Sequence, residues 1–143
     1  MLKGIDPILS PDLLNVLAEM GHGDELAIVD ANFPAVTMAR RLVRTHAPAP
    51  RVLEAVLGLL PLDDFVDAPL TVMEVVGSPD EIPDTVREFQ VVADAAEGKP
   101  VRMARIDRFA FYERTRAAFA VIATGEERLY GCVLSTKGVI RPK

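Results

Sequence analysis

Short apolar runs alternate with helix-forming segments along the whole chain, and this alternation restricts the possible folds more than any other feature of the sequence. Five runs have the length and apolar character of β-strands, and they cover residues 26–29, 70–76, 101–106, 119–123 and 130–134. Four segments carry the apolar spacing or the capping residues of helices, and they cover residues 11–20, 50–60, 83–97 and 107–117. This order predicts a single layered α/β domain over residues 1–143.

The central sheet is predicted to be mixed but largely parallel, with helices flanking it. Helical connections favour parallel strands, whereas the last two strands are separated only by a turn at Gly125 and predict an antiparallel portion. Sheets of this kind bind ligands at the carboxyl ends of their strands. Asp30 follows the first predicted strand, and Asp107 and Arg108 follow the third. These side chains are therefore the first candidates for a binding site.

Both ends of the first helix are marked in the sequence. Ser10 can accept a hydrogen bond from a free backbone N–H, Pro11 tolerates the first helical position, and Asp12 complements the positive end of the dipole. Gly21 follows the last apolar position of the helix and predicts its end. His22 is thereby placed just beyond a helix C-terminus.

The net charge and the cysteine content of the chain limit which partners it can bind and in which compartment it is expected. A net charge of -5 argues against nucleic acid, because nucleic-acid-binding surfaces concentrate Lys and Arg. No apolar run approaches the roughly 20 residues needed to cross a bilayer, and the N-terminal residues lack a signal-peptide pattern. We therefore expect a cytoplasmic protein without a membrane partner. One cysteine and two histidines exclude an internal disulfide and provide no cluster of zinc ligands.

His22 is the best candidate for proton transfer, since the common nucleotide-binding and nucleophile motifs are missing from the sequence. An imidazole titrates near neutral pH, and the glycines on both sides of His22 would allow a ligand to approach it closely. The alternative interpretation is a surface histidine whose charge favours the negative end of the preceding helix. Local sequence does not decide between the two. His46 lies in a proline-containing connection without an adjacent acid and is predicted to be a loop residue.

The other polar candidates also have two interpretations each. Asp30 can bind a ligand hydroxyl, or it can bond to backbone N–H groups and start the following turn. Arg108 can donate to ligand oxygens, or it can form a salt bridge with Asp107 or Glu113. Two amphipathic side chains can line a sugar site or simply pack with their hydroxyl groups satisfied, and these are Tyr112 and Tyr130.

Five blocks of sequence, in order and spanning nearly the whole chain, resemble the L-fucose mutarotases and, more distantly, the D-ribose pyranases. The most distinctive are the Gly-His-Gly block and the Arg-Phe-Ala-Phe-Tyr-Glu-Arg block. The five blocks cover residues 17–25, 30–35, 108–114, 130–132 and 137–139.

The resemblance implies roles for particular residues. The histidine that matches His22 is the proton donor proposed for that family. The positions that match sugar contacts are Asp30, Arg108, Tyr130, Gly131 and Cys132. Asn32 and Tyr112 are candidates for lining the same site. Two positions depart from the family pattern: Asn32 stands where a histidine is familiar, and Cys132 replaces an asparagine. Because a thiol is a weaker hydrogen-bond partner than an amide, these departures bear on the preferred sugar more than on the reaction.

The implied activity is that of a cofactor-independent isomerase of carbohydrate metabolism. It would interconvert the anomers of a free monosaccharide, L-fucose or a related sugar, by acid-base opening and closing of the ring, without a metal. Family members resemble ring-shaped homo-oligomers, commonly decamers, with sites at subunit boundaries, and a hydrophobic content of 50% is compatible with subunit contacts. Two alternatives stay open: D-ribose pyranase-type exchange between pyranose and furanose, and a non-catalytic sugar-binding or transport-accessory protein.

Overall fold

One six-stranded sheet organises the computed structural model, which describes residues 1–143. The strands are β1 Glu25–Val29, β2 Leu42–Arg44, β3 Leu70–Met73, β4 Met103–Ile106, β5 Ala120–Ala123 and β6 Val133–Thr136. Their order across the sheet is β2-β5-β1-β6-β3-β4. β6 runs antiparallel to both of its neighbours, β1 and β3, and every other pairing is parallel. The prediction of a mixed, largely parallel α/β sheet is confirmed.

Helices cover both faces of this sheet. They are α1 Pro11–Glu19, α2 Ala35–Met38, α3 Ala49–Leu57, α4 Asp84–Glu97 and α5 Arg108–Ala117. Successive residues of β1 point to opposite faces. Leu26 and Ile28 join the larger core beneath α1, α3 and α4, whereas Ala27 and Val29 join the smaller core beneath α2 and α5. No helix of the chain has both the length and the apolar character required to cross a bilayer.

Capping residues set the helix ends near the sequence candidates. The Ser10 hydroxyl accepts a hydrogen bond from the Leu13 N–H at 3.2 Å, as predicted for the start of α1. The Asp107 carboxylate accepts from the N–H groups of Phe109 and Ala110 and fixes the start of α5. α1 ends at Glu19, so that His22 lies beyond its C-terminus as expected.

Two parts of the sequence-based prediction are wrong. Residues 130–132 do not belong to a strand, because Tyr130 has a φ of 61°, which extended backbone cannot accommodate. The last strand begins at Val133 instead. It also forms no hairpin with β5, because β1 lies between them and pairs with both. The short elements α2 and β2 were not predicted, since three or four residues are too few to show a period.

Candidate functional site

Polar side chains from three strand ends meet at the carboxyl edge of the sheet. Asp30 follows β1 and Arg108 follows β4, while Cys132 precedes β6, whose antiparallel direction brings its start to the same edge. Together they border a cavity of about 150 Å³. The cavity is lined by Asp30, Asn32, Phe33, Met73, Arg108, Tyr112, Leu129, Tyr130 and Cys132. The structure therefore brings together Asp30, Arg108, Tyr130 and Cys132, with Gly131 packed beside Asp30, whereas the Asp107 side chain does not line the cavity.

The Asp30 carboxylate is held by two contacts at the floor of this cavity. One oxygen accepts a hydrogen bond from the Asn32 N–H at 3.0 Å, which is the turn-starting role considered above. The other lies 3.3 Å from the Cys132 sulfur, which donates to it. Burial, and then the negative charge of Asp30, raise the pKa of the Cys132 thiol well above its usual value. The thiol therefore stays neutral and serves Asp30 as a donor.

Arg108 is free to donate to a ligand. The salt bridges considered from the sequence are not formed, because Asp107 caps α5 and Glu113 pairs with Arg116. The Arg108 guanidinium instead lies over the Phe109 ring, 4.8 Å from its centroid, at the rim of the cavity. An unpaired guanidinium and a buried carboxylate that line one cavity suit a polyhydroxylated ligand, which both donates and accepts hydrogen bonds.

Two tyrosines complete the polar lining. The Tyr112 ring packs edge-to-face on Phe33, with centroids 5.3 Å apart. The Tyr130 hydroxyl accepts a hydrogen bond from the Val76 N–H at 3.1 Å, so its own proton is available to a ligand. Tyr130 adopts the left-handed conformation, which costs energy for a residue with a side chain and is concentrated at functional sites.

Gly131 has no room for a side chain. A methyl group at this position would lie 2.6 Å from Glu126 Cγ and 3.2 Å from the Arg128 carbonyl oxygen. We expect Gly131→Ala to lower the free energy of unfolding by about 1–3 kcal/mol, the usual cost of overpacking, as measured by denaturant titration. Gly21→Ala is the control, since its methyl would come no closer than 3.6 Å to another atom. Equal stability of the two variants would contradict this packing argument.

His22 lies at the opposite edge of the sheet. It precedes the start of β1, whereas Asp30 follows its end, and a strand of five residues separates their two edges by about 17 Å. The His22 side chain is 46% exposed, and its Nε2 lies 3.1 Å from an oxygen of Asp63, which is 4% exposed. The Phe65 ring flanks the imidazole at 5.3 Å between centroids. The structure therefore does not bring His22 together with the carboxyl-edge cavity within one chain.

The partner of His22 is Asp63, which the sequence did not reveal. Asp63 is fixed by the Phe65 N–H, which donates to its carboxylate at 3.1 Å, and by its own N–H, which donates to the Thr136 carbonyl. The carbonyls at the end of α1 accept from the Lys137 ammonium, and no hydrogen bond joins the His22 side chain to them. Asp63 lies in an aperiodic connection 41 residues from His22, and no sequence signal links the two.

The model of the family described as the RbsD / FucU transport protein family matches residues 3–140. The chain belongs to this family. It is 44% identical to the L-fucose mutarotase of Histophilus somni strain 2336, over 97% of both chains. It is 45% identical to the fucose mutarotase of Homo sapiens, over 97% of this chain and 94% of the human protein.

A solved member of the RbsD/FucU family has the same fold. The crystal structure of the fucose mutarotase from Streptococcus pneumoniae in complex with L-fucose superposes with a TM-score of 0.91 and 39% sequence identity. The match covers 98% of this chain and all of that one. The resemblance to the L-fucose mutarotases found in the sequence is confirmed.

Both edges of this RbsD/FucU chain carry exposed apolar side chains near the candidate residues. Phe65 is 67% exposed beside His22. Leu129, which lines the cavity, is 65% exposed, and Phe109, which lies under the Arg108 guanidinium, is 67% exposed. No three side chains among His, Cys, Asp and Glu lie close enough together to hold a metal ion. His46 is an exposed loop residue, as predicted.

Proposed function

We propose that this chain is a sugar mutarotase that interconverts the anomers of a free monosaccharide, L-fucose or a closely related sugar. The observation that carries the proposal is the convergence of Asp30, Arg108 and Tyr130 on one small cavity, in a chain related over nearly its full length to fucose mutarotases. A buried carboxylate, a free guanidinium and a tyrosine hydroxyl recognise hydroxyl groups in a fixed arrangement.

The reaction requires that a proton leave the anomeric hydroxyl while the ring oxygen gains one. An ionised Asp63 only accepts hydrogen bonds, so it retains the proton on His22 Nε2 and leaves Nδ1 with a lone pair. His22 Nδ1 then takes the proton of the anomeric hydroxyl, and Asp63 stabilises the imidazolium that forms. The imidazolium donates this proton to the ring oxygen as the bond between C1 and that oxygen breaks and C1 becomes an aldehyde. After rotation about the C1–C2 bond, the reverse transfers close the ring as the other anomer.

Asp30, Arg108 and Tyr130 hold the sugar during this cycle. Asp30 accepts from one sugar hydroxyl, and Arg108 donates to sugar oxygens. The Tyr130 hydroxyl donates its proton to the sugar, because its oxygen already accepts a hydrogen bond from the Val76 N–H. The Gly131 backbone and the Cys132 thiol lie beside Asp30, and Asn32 and Tyr112 line the same cavity. Positioning of this kind together with general acid-base catalysis needs no cofactor.

The complete site forms between two subunits of a ring in this proposal. His22 of one subunit meets the carboxyl-edge cavity of the next, because the two halves lie at opposite edges of β1. The same contact repeated head to tail closes a ring, and a decamer is the expected size. The exposed Phe65 at one edge, and Phe109 and Leu129 at the other, supply apolar surface for this contact. We place the enzyme in the cytoplasm, where the lone Cys132 stays reduced.

Magnetisation-transfer NMR tests the proposed reaction. Inverting the signal of one anomer of L-fucose should change the signal of the other faster with the protein than without it. D-Ribose and related free sugars are measured in parallel. Faster exchange of pyranose and furanose forms of D-ribose alone would instead indicate a pyranase. Saturable binding of a sugar with no faster exchange of any sugar would indicate a non-catalytic sugar-binding protein.

Cys132 is expected to set sugar preference. Its neutral thiol donates weakly to Asp30, whereas an asparagine amide at this position would offer a sugar both a donor and an acceptor. We expect Cys132→Asn to raise kcat/KM for L-fucose relative to other sugars by about tenfold, the worth of one added hydrogen bond. Cys132→Ala is the control that offers no amide. If Cys132→Asn leaves the ratio of kcat/KM for L-fucose to kcat/KM for other sugars unchanged, Cys132 does not determine sugar preference.

A further inference from the structure

The connection from β5 to β6 carries three of the candidate sugar contacts, and we name residues 124–132 the site loop. Its first part is tied to both neighbours of Asp30 in the chain. The Thr124 hydroxyl donates to the Val29 carbonyl at 2.7 Å, and the Ala31 N–H donates to the Glu126 carbonyl at 2.8 Å. The position of Asp30 and the position of the site loop are therefore set together.

A buried carboxylate lies at the centre of the site loop. The Glu126 side chain is 3% exposed, and one of its oxygens accepts from the Arg128 N–H at 3.0 Å and from Arg128 Nε at 2.8 Å. Its other oxygen accepts from Arg128 Nη2 at 3.0 Å. A buried charge of this kind is tolerated only with such partners.

The same guanidinium also holds the loop to α4. Arg128 Nη1 and Nη2 donate to the two oxygens of Glu88 at 2.7 and 3.1 Å. One planar group thereby joins a carboxylate of the site loop to a carboxylate of a helix, an arrangement that lysine cannot reproduce. None of these three side chains lines the sugar cavity.

The Glu126 side chain packs against Gly131, one of the candidate sugar contacts. A methyl on Gly131 would lie 2.6 Å from Glu126 Cγ and 3.5 Å from Asp30 Cβ, so Glu126, Gly131 and Asp30 are stacked in direct contact. On either side of Gly131 are Tyr130, in its left-handed conformation, and Cys132, which donates to Asp30.

We propose that Arg128 is a positioning residue for sugar binding, because its bridge between Glu126 and Glu88 holds the site loop in the conformation that presents Tyr130 and Cys132 to the sugar. This inference rests on the proposed function. Arg128 does not touch the sugar, and it acts through Glu126. Its removal leaves the proton-transfer group His22 unchanged, so that sugar affinity falls more than turnover.

The decisive variant is Arg128→Gln, compared with native protein by anomer-exchange NMR and by hydrogen-exchange mass spectrometry. We expect KM for the preferred sugar to rise about tenfold with kcat within about threefold of native. Amide exchange should become faster in peptides that cover residues 124–132. Arg128→Lys should recover part of the affinity. Arg51→Gln is the matched control, because Arg51 also bridges two acids, Asp6 and Glu54, but lies outside the site loop.

A pH profile separates positioning from a general loss of stability. Arg128 lowers the pKa of Glu126, whereas burial raises it, and the facing Glu88 charge does not favour its ionisation. Without Arg128, Glu126 is protonated at higher pH, and its hydrogen bond from the backbone N–H of residue 128 weakens because the acceptor loses its charge. The acid limb of kcat/KM should therefore move to higher pH in Arg128→Gln, and this shift should disappear in the Glu126→Gln background.

These experiments distinguish failure of the Arg128 proposal from failure of the mutarotase proposal. If native protein exchanges sugar anomers and Arg128→Gln keeps the native KM and the native amide exchange, the positioning role of Arg128 is overturned. The mutarotase proposal is not affected by that result. If native protein exchanges no sugar, the mutarotase proposal falls, and sugar titration with amide exchange of residues 124–132 still decides the role of Arg128. If Arg128→Gln does not fold, Glu88→Ala removes only the α4 side of the bridge, and an unchanged KM together with unchanged amide exchange of residues 124–132 in this variant would overturn the proposal.

Discussion

Replacing His22 with alanine should lower the rate of anomer exchange by about 10²–10⁴-fold, the usual contribution of a general acid-base group. The His22 imidazole is exposed, has a carboxylate partner and carries a ring nitrogen that can accept and donate a proton. Sugar affinity should change much less, because the residues that hold the sugar lie at the other edge. Magnetisation transfer on L-fucose at equilibrium measures the rate directly.

His46→Ala provides the matched control for this prediction, since His46 is the other histidine of the chain and lies exposed in a connection. It should exchange sugar at the native rate. Asp63→Asn should give an intermediate loss, because an amide can also donate and no longer fixes the protonated nitrogen of His22. Native exchange by His22→Ala would show that the proton moves through another group.

Two inactive variants should restore activity when they share one ring. His22→Ala destroys the proton-transfer half of each site, and Arg108→Ala destroys the sugar-holding half. If each site takes these halves from neighbouring subunits, an equal random mixture leaves about one quarter of the sites intact. Activity should therefore rise from nearly zero to about a quarter of the native value in mixed rings.

Co-expression of the two variants with different affinity tags, followed by sequential purification, isolates the mixed assemblies, and native mass spectrometry verifies their composition. The control is a solution that contains separately purified rings of each variant, under conditions in which subunits do not exchange between rings. This control should stay inactive. Mixed rings that remain inactive would show that neighbouring subunits do not complete one another's sites.

The class of fold could be predicted from the sequence because its signals are local. Capping at Ser10 and Asp107, the buried run that ends before Asp30 and the buried run that begins at Val133 can each be recognised from a few residues. The position of β1 between β5 and β6 could not be predicted, since strand order depends on contacts between distant residues. The last predicted strand began too early because Tyr130 and Cys132 have strand-like side chains, whereas the backbone at Tyr130 is left-handed.

The candidate site was predictable to a different extent at each edge. Asp30 and Arg108 follow strands, and parallel strands bring their carboxyl ends to one edge, so their proximity follows from the pattern. Asp63 belongs to a connection whose path no periodicity specifies, and its contact with His22 needs the complete chain. The family resemblance supplied roles for both edges and implied sites at subunit boundaries, but it did not indicate that the two groups of residues lie at opposite ends of β1.

The central position of β6 has a consequence for biosynthesis. This strand joins β1 and β3, so without it the sheet divides into a β2-β5-β1 part and a β3-β4 part. β6 is also the last strand to leave the ribosome. Until β6 is synthesised, the nascent polypeptide therefore holds two incomplete halves with unpaired strand edges, and such edges favour aggregation.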